Sequence, residues 1–400
     1  MKLLLLAHST LAHLTGGVET HVDALGRAAA ALGHDVELLT TAHPRGLAEE
    51  VRDGVRIEYL AGTRPALRGR DWRAASVAAV GRRAAGGAGD LLLSFNDAGA
   101  AVARARIGPA HWVVMYGRTL GHLVSEWHDR AGLAGLVTYP RRALALVYHA
   151  VGEARLLARV DGVVATCDRL RADLARRRGL RVVLAYNGTD PRVFRPDPAR
   201  RATVRRTLGI PGAAPVLLLA ATVNRQKGIW VGVEAFVRLA ARRPDLYLLV
   251  AGDGPDRARL EARLRGRTEG DRARFVGAAP LGAMPGYFAA ADLLLYPTFR
   301  AEGLPTAIVE ALACGVPAVA SDRGGVASAV RDGETGVLLP SPSVAAVAAA
   351  TAALLDDRAR RAALGRRGVE LARATFDTRR IVARLLPELT GAAGVSRAAH

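Results

Sequence analysis

Short apolar runs alternate along the chain with stretches whose apolar positions recur every three or four residues, the pattern of buried strands separated by helices. In the first half the runs are KLLLLA (2–7), DVELLT (35–40), DLLLSF (90–95), HWVVMY (111–116), GVVAT (162–166) and RVVLAY (181–186). A second series follows: PVLLLAA (215–221), LYLLVAG (246–252), ARFVG (273–277), DLLLYP (292–297), PAVAS (317–321) and TGVLLP (335–340). Between them lies NGTDPRVFRPDPAR (187–200), rich in proline and turn residues, which reads as a linker. The pattern predicts an α/β protein in which one architecture, a parallel sheet wrapped by helices, is used twice. We divide it into residues 1–190, 191–374 and a terminal segment 375–391 around the amphipathic stretch FDTRRIVARLLPEL (376–389). The alanine-rich tract from Val344 to Leu355 reads as a helix.

Composition narrows the class. The chain has 400 residues, half of them hydrophobic, enough for two cores. Cys167 and Cys314 are the only cysteines and lack metal-ligand spacing, so a disulfide framework or zinc site is not expected and a reducing, cytoplasmic compartment is. The apolar run in MKLLLLAHST is too short for a signal-peptide core, and no run approaches the roughly 18 residues of a membrane span. Net charge is +19, carried by arginine, since Lys2 and Lys227 are the only lysines. Such an excess fits solvated helix faces or an acidic surface or substrate, lipid headgroups ahead of nucleic acid. Aromatic residues make up 5% and no nucleic-acid-binding motif is visible, so no nucleic-acid partner is expected.

Candidate chemistry concentrates after the strands. In FRAEGLPTAIVEALACGVPAVAS (299–321), Pro305 and Gly315 punctuate a helix running roughly from Pro305 to Cys314. Glu310 shares its face with Thr306, Ala307, Ala313 and Cys314, all small, none able to pair with it. Glu302 lies ahead of the first turn, where orphan N–H groups favour an anion. An extended ligand fits, with hydroxyls at Glu310, phosphate at the helix start and another hydroxyl-bearing group at Glu302. An arbitrary helical glutamate is usually a solvated one on an exposed face, but Ile308, Val309, Ala311 and Leu312 leave this helix little water-facing side. Gly16 and Gly17, between the first strand and first helix, let backbone N–H groups approach an anion, although Gly-Gly also makes a plain tight turn. Arg225 and Lys227 in ATVNRQKGIWVGVEAF (221–236) can neutralise phosphate after the first strand of the second half. VAGDGP (250–255) and FVG (275–277) end strands there and can wall a nucleobase. No Asp-x-Asp pair occurs, which disfavours a metal-held diphosphate. Walker A and G-x-G-x-x-G loops are absent, so ATPase and nicotinamide dehydrogenase readings lose ground.

TGGVETHV, YNGTDPRVFRP, NRQKG, VAGDGP and EGLPTAIVEALACGVPAVAS together resemble the family-four retaining glycosyltransferases over nearly the whole chain, most strongly from Tyr186 to Pro340. The resemblance implies a GT-B fold, two Rossmann-like domains with parallel sheets facing a cleft, the donor site in the second and the acceptor side in the first. It assigns Glu310 to the ribose hydroxyls, Glu302 to the transferred sugar and Lys227 to the diphosphate. Gly16-Gly17 would close over the phosphates, and Gly303, Leu304 and Val276 would also bind donor. The last helix would cross back to the first domain. It implies a nucleoside-diphosphate sugar as co-substrate, a sugar, lipid-linked or small-molecule acceptor, no cofactor or metal, and front-face attack in which the leaving diphosphate takes the acceptor's proton. Two departures stand out. Thr222 occupies the position of the family's arginine five residues before the lysine, leaving Arg225 as a displaced substitute. The family's first-domain His-Gly appears as Tyr116-Gly117, with His122 five residues past that glycine as a catalytic alternative.

The rival reading is a basic membrane-surface or nucleic-acid-binding protein that kept a degenerate nucleotide site. LVTYPRRALALVYHAVGEARLLARV (136–160) mixes apolar residues with Arg141, Arg142, Arg155 and Arg159, as a surface-seeking helix on the inner membrane face would, and it equally suits an acceptor-binding helix.

Overall fold

The structure, a computed structural model, describes residues 1–87, 89–117, 144 and 147–397. They form two compact units, one holding the described residues up to Gly188 together with Thr378 onward, the other Thr189–Asp377.

The first unit contains β1 (Lys2–Leu6), β2 (Asp35–Thr41), β3 (Glu49–Arg52), β4 (Val55–Leu60), β5 (Leu91–Phe95), β6 (Ala110–Met115), β7 (Gly162–Ala165) and β8 (Val182–Leu184). They make one sheet in the order β3-β4-β2-β1-β5-β6-β7-β8, parallel except for β3. The six apolar runs of this half are strands. The β3–β4 hairpin is an addition, and its absence from the expectation has a cause. β4 alternates buried and exposed positions through Val55, Arg56 and Ile57, while β3 has no buried residue, so neither forms a continuous apolar run. The sheet's buried face packs with Val22 and Leu25 of the helix Gly17–Ala31 and with Ile381, Val382, Leu385, Leu386 and Leu389 of the helix Thr378–Arg397. Those five follow the i, i+1, i+4, i+5, i+8 spacing of one helical face.

The second unit is a six-stranded, all-parallel sheet in the order β11-β10-β9-β12-β13-β14. Its strands are β9 (Val216–Ala220), β10 (Tyr247–Ala251), β11 (Ala273–Gly277), β12 (Leu293–Tyr296), β13 (Ala318–Ser321) and β14 (Gly336–Leu339). The inner strands β9, β10, β12 and β13 run through buried leucine, valine or alanine, as strands covered on both faces must, while the edge strands β11 and β14 are only partly buried. The expected linker is shorter than its composition implied: the helix Pro198–Thr207 starts inside it, with Pro198 in the first turn and Asp197 Oδ1 accepting from the Arg200 N–H at 2.9 Å. That helix also corrects the view of arginine as solvated charge. Arg205 is buried, donates to the carbonyls of Gly212, Ala214 and Ala290, and pairs with Asp292 Oδ2 at 2.8 Å.

Strand order locates a ligand site before any side chain is considered. β9 is followed by β10 on one side, while β12 lies on the other, so the chain reverses direction between β9 and β12. Loops leaving the carboxyl ends of two such strands diverge and open a crevice.

Candidate functional site

The two loops at that crevice carry Lys227 and Glu302. The loop after β9 ends at Gly228 (φ 69°), where a Cβ would sit 1.8 Å from the Pro297 carbonyl oxygen, so only glycine lets it lie against the end of β12. The Phe299 N–H donates to Gln226 O at 2.9 Å, and Asn224 Oδ1 accepts from the Lys227 N–H at 2.9 Å, which fixes the lysine's backbone. Behind Glu302, Gly325 N–H donates to its carbonyl at 2.8 Å, and Gly324 (φ 53°) leaves room for that contact.

Lys227 Nζ donates to both carboxylate oxygens of Glu302, at 2.6 and 2.7 Å. Tyr296, the last residue of β12, donates its hydroxyl to Glu302 Oε1 at 2.9 Å, and its oxygen lies 3.3 Å from Lys227 Nζ. Burial alone would raise the Glu302 carboxyl, but Lys227, Arg300 and the Tyr296 hydroxyl together hold it below the usual range. Burial, then the charge and hydrogen bond of Glu302, push the Tyr296 phenol well above its ordinary value. The site therefore holds an ionised carboxylate, an ammonium and a fixed hydroxyl donor. Arg300 adds a second cation acting on Glu302 and Tyr296, and among the described residues its Nε is buried without a hydrogen-bond partner.

Glu310 lies on the helix Thr306–Ala313, where Pro305 serves as the cap and not as the first helical residue. Gly303 and Leu304 are buried in the lead-in. The glutamate is only 9% exposed, so the solvated reading fails. No side-chain hydrogen bond or ion pair holds its carboxyl among the described residues, and burial pushes its pKa up to about 7. A buried, unpartnered carboxyl is costly and is suited to accept from a ligand's hydroxyls.

Val276 sits in a bulge. β10 and β11 pair Val250 with Phe275 and Ala251 with Gly277, leaving Val276 opposite no residue. Close to it, Gly252 and Gly254 pass over the backbone of Ala221 and Val223, where a Cβ on either would meet a carbonyl oxygen at 2.0 or 2.5 Å. The walls VAGDGP and FVG thus adjoin the lysine loop.

Other sequence expectations meet different surroundings. Arg225 is exposed, with its guanidinium 5.8 Å from the Trp230 ring centroid, which Arg259 also approaches at 5.9 Å; the cations acting on Glu302 are Lys227 and Arg300. At Gly16-Gly17, the helix start already faces an anion of the chain: a Cβ on Gly16 would meet Glu19 Oε2 at 2.5 Å, and Glu19 Oε1 accepts from the Ser9 hydroxyl. Tyr116 lies just past β6 with its hydroxyl 2.6 Å from His21 Nδ1. Burial lowers His21 to about 4, so the imidazole is neutral, and its Nδ1 and the phenol share one hydrogen bond. His122, Arg141 and Arg142 lie outside the described residues. Among the described residues no three His, Cys, Asp or Glu side chains gather as a metal site requires. Reading for apolar runs and motifs missed Tyr296 and Arg300. Their signal was position, since Tyr296 ends β12 and Arg300 lies in the loop that follows it at the crevice.

Comparison with known proteins bears on this geometry. The profile of the family described as Glycosyl transferases group 1 matches residues 200–370, and that of Glycosyltransferase Family 4 matches residues 15–193. A lipopolysaccharide core biosynthesis mannosyltransferase of Rhizobium meliloti is 30% identical over 275 residues, covering 64% of this chain and 76% of that protein. A GDP-mannose-dependent α-(1-6)-phosphatidylinositol monomannoside mannosyltransferase of Mycolicibacterium smegmatis is 33% identical over 210 residues. That match spans 51% of this chain and about half, 55%, of the relative. Among solved structures, a sucrose-phosphate synthase from Thermosynechococcus elongatus superposes with a TM-score of 0.78 at 24% identity over 96% of both chains. HepE of Anabaena, solved with UDP and glucose, gives 0.73 at 19% identity over 98% of this chain and 100% of that one. At these identities the likeness is one of fold.

Proposed function

Because the chain belongs to the group 1 glycosyltransferases of family 4, we propose that it moves a sugar from a nucleoside-diphosphate sugar to an acceptor, with retention and without a metal. The observation carrying this reading is the pairing of Lys227 with Glu302 at the strand-order reversal, next to a buried, unpartnered Glu310. Glu310 accepts from the ribose hydroxyls. Lys227 leaves Glu302 for the diphosphate, with Arg300 as the second cation where Thr222 replaces the family's arginine. Glu302, still held by Tyr296, then accepts from hydroxyls of the transferred sugar, and the Val276 backbone freed by the bulge meets the nucleobase. The side chains around the reacting carbon supply charge and hydrogen bonds, so we assign proton acceptance from the incoming hydroxyl to a leaving phosphate oxygen on the same face of the sugar. The proposed acceptor is a sugar or lipid-linked glycan, in keeping with relatives that act on lipopolysaccharide core and on phosphatidylinositol monomannoside. We place the reaction in the cytoplasm, at the inner membrane surface when the acceptor is lipid-linked.

Thermal shift with UDP, GDP and ADP sugars, in the presence of chelator, tests the reading. One donor is expected to stabilise the chain by roughly 2.7 kcal/mol at 100 times its Kd, with no requirement for magnesium or manganese, since two cations replace the ion. A shift seen only after metal is restored refutes metal independence. No shift with any donor, with or without metal, refutes the donor site.

A further inference from the structure

The first unit repeats the strand-order reversal that locates the crevice of the second. β2 and β5 flank β1 as β10 and β12 flank β9, so β1 answers to β9 and β5 to β12. Loops leaving the carboxyl ends of β1 and β5 therefore diverge in the same way. Asn96, at φ 53°, turns the chain after β5, and Asp97 follows it as the counterpart of Glu302. Its carboxylate again meets a cation from another loop, with Oδ1 3.1 Å from Nη1 of Arg68, which lies ahead of the helix Arg70–Ala85. His8, just past β1, backs the pair, its Nδ1 4.0 Å from the same oxygen and its ring centroid 5.2 Å from that of Trp72. Trp72 is fixed in turn by donating from Nε1 to the Ala98 carbonyl at 3.0 Å.

Two features set this cluster apart from an ordinary surface ion pair. Among the described residues Asp97 Oδ1 is buried and accepts no hydrogen bond, although Arg68 and His8 both lie near. The His8 side chain is only 10% exposed, and burial lowers it to about 4 against the pull of Asp97, so a neutral imidazole stands behind the carboxylate. Asp97 nevertheless keeps 40% of its side chain exposed and Arg68 58%. A carboxylate with open lone pairs and a guanidinium with open N–H groups thus stand side by side at the surface.

The geometry points to an acceptor subsite for the vicinal diol of an uncharged sugar ring, one hydroxyl donating to Asp97 and its neighbour accepting from Arg68. A hydrogen-bond acceptor and a donor 3.1 Å apart match two adjacent hydroxyls, each of which can donate or accept. Charge decides against a phosphorylated ring. Asp97 and Arg68 are the charges acting on His8, and they cancel. Arg64 is engaged elsewhere, since Asp71 Oδ2 accepts from its backbone N–H at 2.9 Å and lies 3.4 Å from its Nε. A phosphate would therefore meet a carboxylate without a surplus cation to offset it. The second unit differs in this respect, because Arg300 joins Lys227 in acting on Glu302. This acceptor class presupposes the proposed transfer and narrows its acceptor to a neutral ring.

Saturation-transfer NMR titrations of the full chain test it with the methyl α-glycosides of glucose, mannose and galactose, which between them carry trans and cis vicinal diols, and with glucose 6-phosphate. At least one neutral glycoside is expected to bind, and glucose 6-phosphate no tighter than methyl glucoside. Asp97→Asn and Arg68→Ala should each weaken that glycoside about tenfold or more, the effect of losing a hydrogen bond to a charged group. Asparagine keeps the shape of aspartate and Arg68 is exposed, so melting temperatures should stay at the parent value. Failure of all three glycosides to bind overturns the proposal, as does binding that either variant leaves unchanged. Tighter binding of glucose 6-phosphate that Arg68→Ala removes also overturns it, because the subsite would then read an anion. The donor thermal shift on the same preparations separates the two claims. Its absence in the parent refutes the donor site and leaves glycoside binding at Asp97 standing, while a normal donor shift without glycoside binding refutes this subsite alone.

Discussion

Glu302→Gln is expected to lower turnover by about 10²- to 10³-fold while leaving affinity for free nucleoside diphosphate equal to or tighter than the parent's. The loss has the size expected when one charged stabiliser of a transition state is removed, about 2.7 to 4 kcal/mol. The retained or improved affinity follows from the geometry of the pair. Lys227 spends its charge on both oxygens of Glu302, at 2.6 and 2.7 Å, and a diphosphate must compete for it. Neutralising Glu302 removes the competitor. Lys227→Ala should do the opposite, weakening diphosphate strongly and leaving Glu302 with Tyr296 and Arg300 alone. The pair is largely but not fully buried, so losing its cation should also make this variant melt earlier. Calorimetric titration with free diphosphate, turnover of the full donor and urea denaturation on both variants provide the check. Equal loss of diphosphate affinity in the two variants would contradict the division of roles.

Glu310 offers the second large effect, and its pH dependence has a definite sign. The folded carboxyl is pushed up to about 7 from an ordinary value of 4.5, so the folded state holds a proton that the unfolded chain has released. The stability this gives is complete below pH 4.5 and is lost as pH rises through 7, a total of about 3 kcal/mol. Glu310→Gln lacks the titration. Relative to the parent it should therefore gain about 3 kcal/mol between pH 4.5 and pH 8, read from urea denaturation at the two pH values. Ligand binding should run the other way. Ribose hydroxyls favour the ionised carboxylate, so nucleotide affinity in the parent should rise as pH approaches 7 and level off above it. Glu310→Ala should weaken diphosphate and nucleotide sugar alike by about 1.5 to 3 kcal/mol, because both carry ribose. A Glu310→Ala protein that is folded and binds diphosphate like the parent would show that the buried carboxyl has another purpose.

How much was legible in advance differs between elements. Runs such as PVLLLAA and DLLLSF announce central parallel strands because both faces are buried and the apolar run is unbroken. VRIEYL carries its signal in alternation instead, and EEVR, at the antiparallel edge, pairs on one side only and buries nothing fully. At the site, the helix around Glu310 could be placed to within a residue, since Pro305 and Gly315 punctuate it locally. Whether Glu310 faced water could not, because burial of a helix face depends on what packs against it. Arg225 shows the limit from the other side. It is two residues from Lys227 in sequence, yet its guanidinium stacks with Trp230, and the second cation acting on Glu302 comes from Arg300, on the loop after β12.

The sequence by itself determined the two-unit α/β architecture, twelve of the fourteen described strands and the positions of the glycine-punctuated loops, all of which rest on local periodicity and on backbone conformations available to glycine and proline. Tertiary structure decided which charges meet. Strand order alone brings Lys227, 75 residues away in sequence, onto both oxygens of Glu302, and sets Tyr296 beneath the pair. It also decided that Glu19 faces the Gly16-Gly17 turn and that Glu310 is only 9% exposed, with no side-chain partner among the described residues. Coulomb energy and desolvation depend on distance and burial, and neither is a property of spacing along the chain.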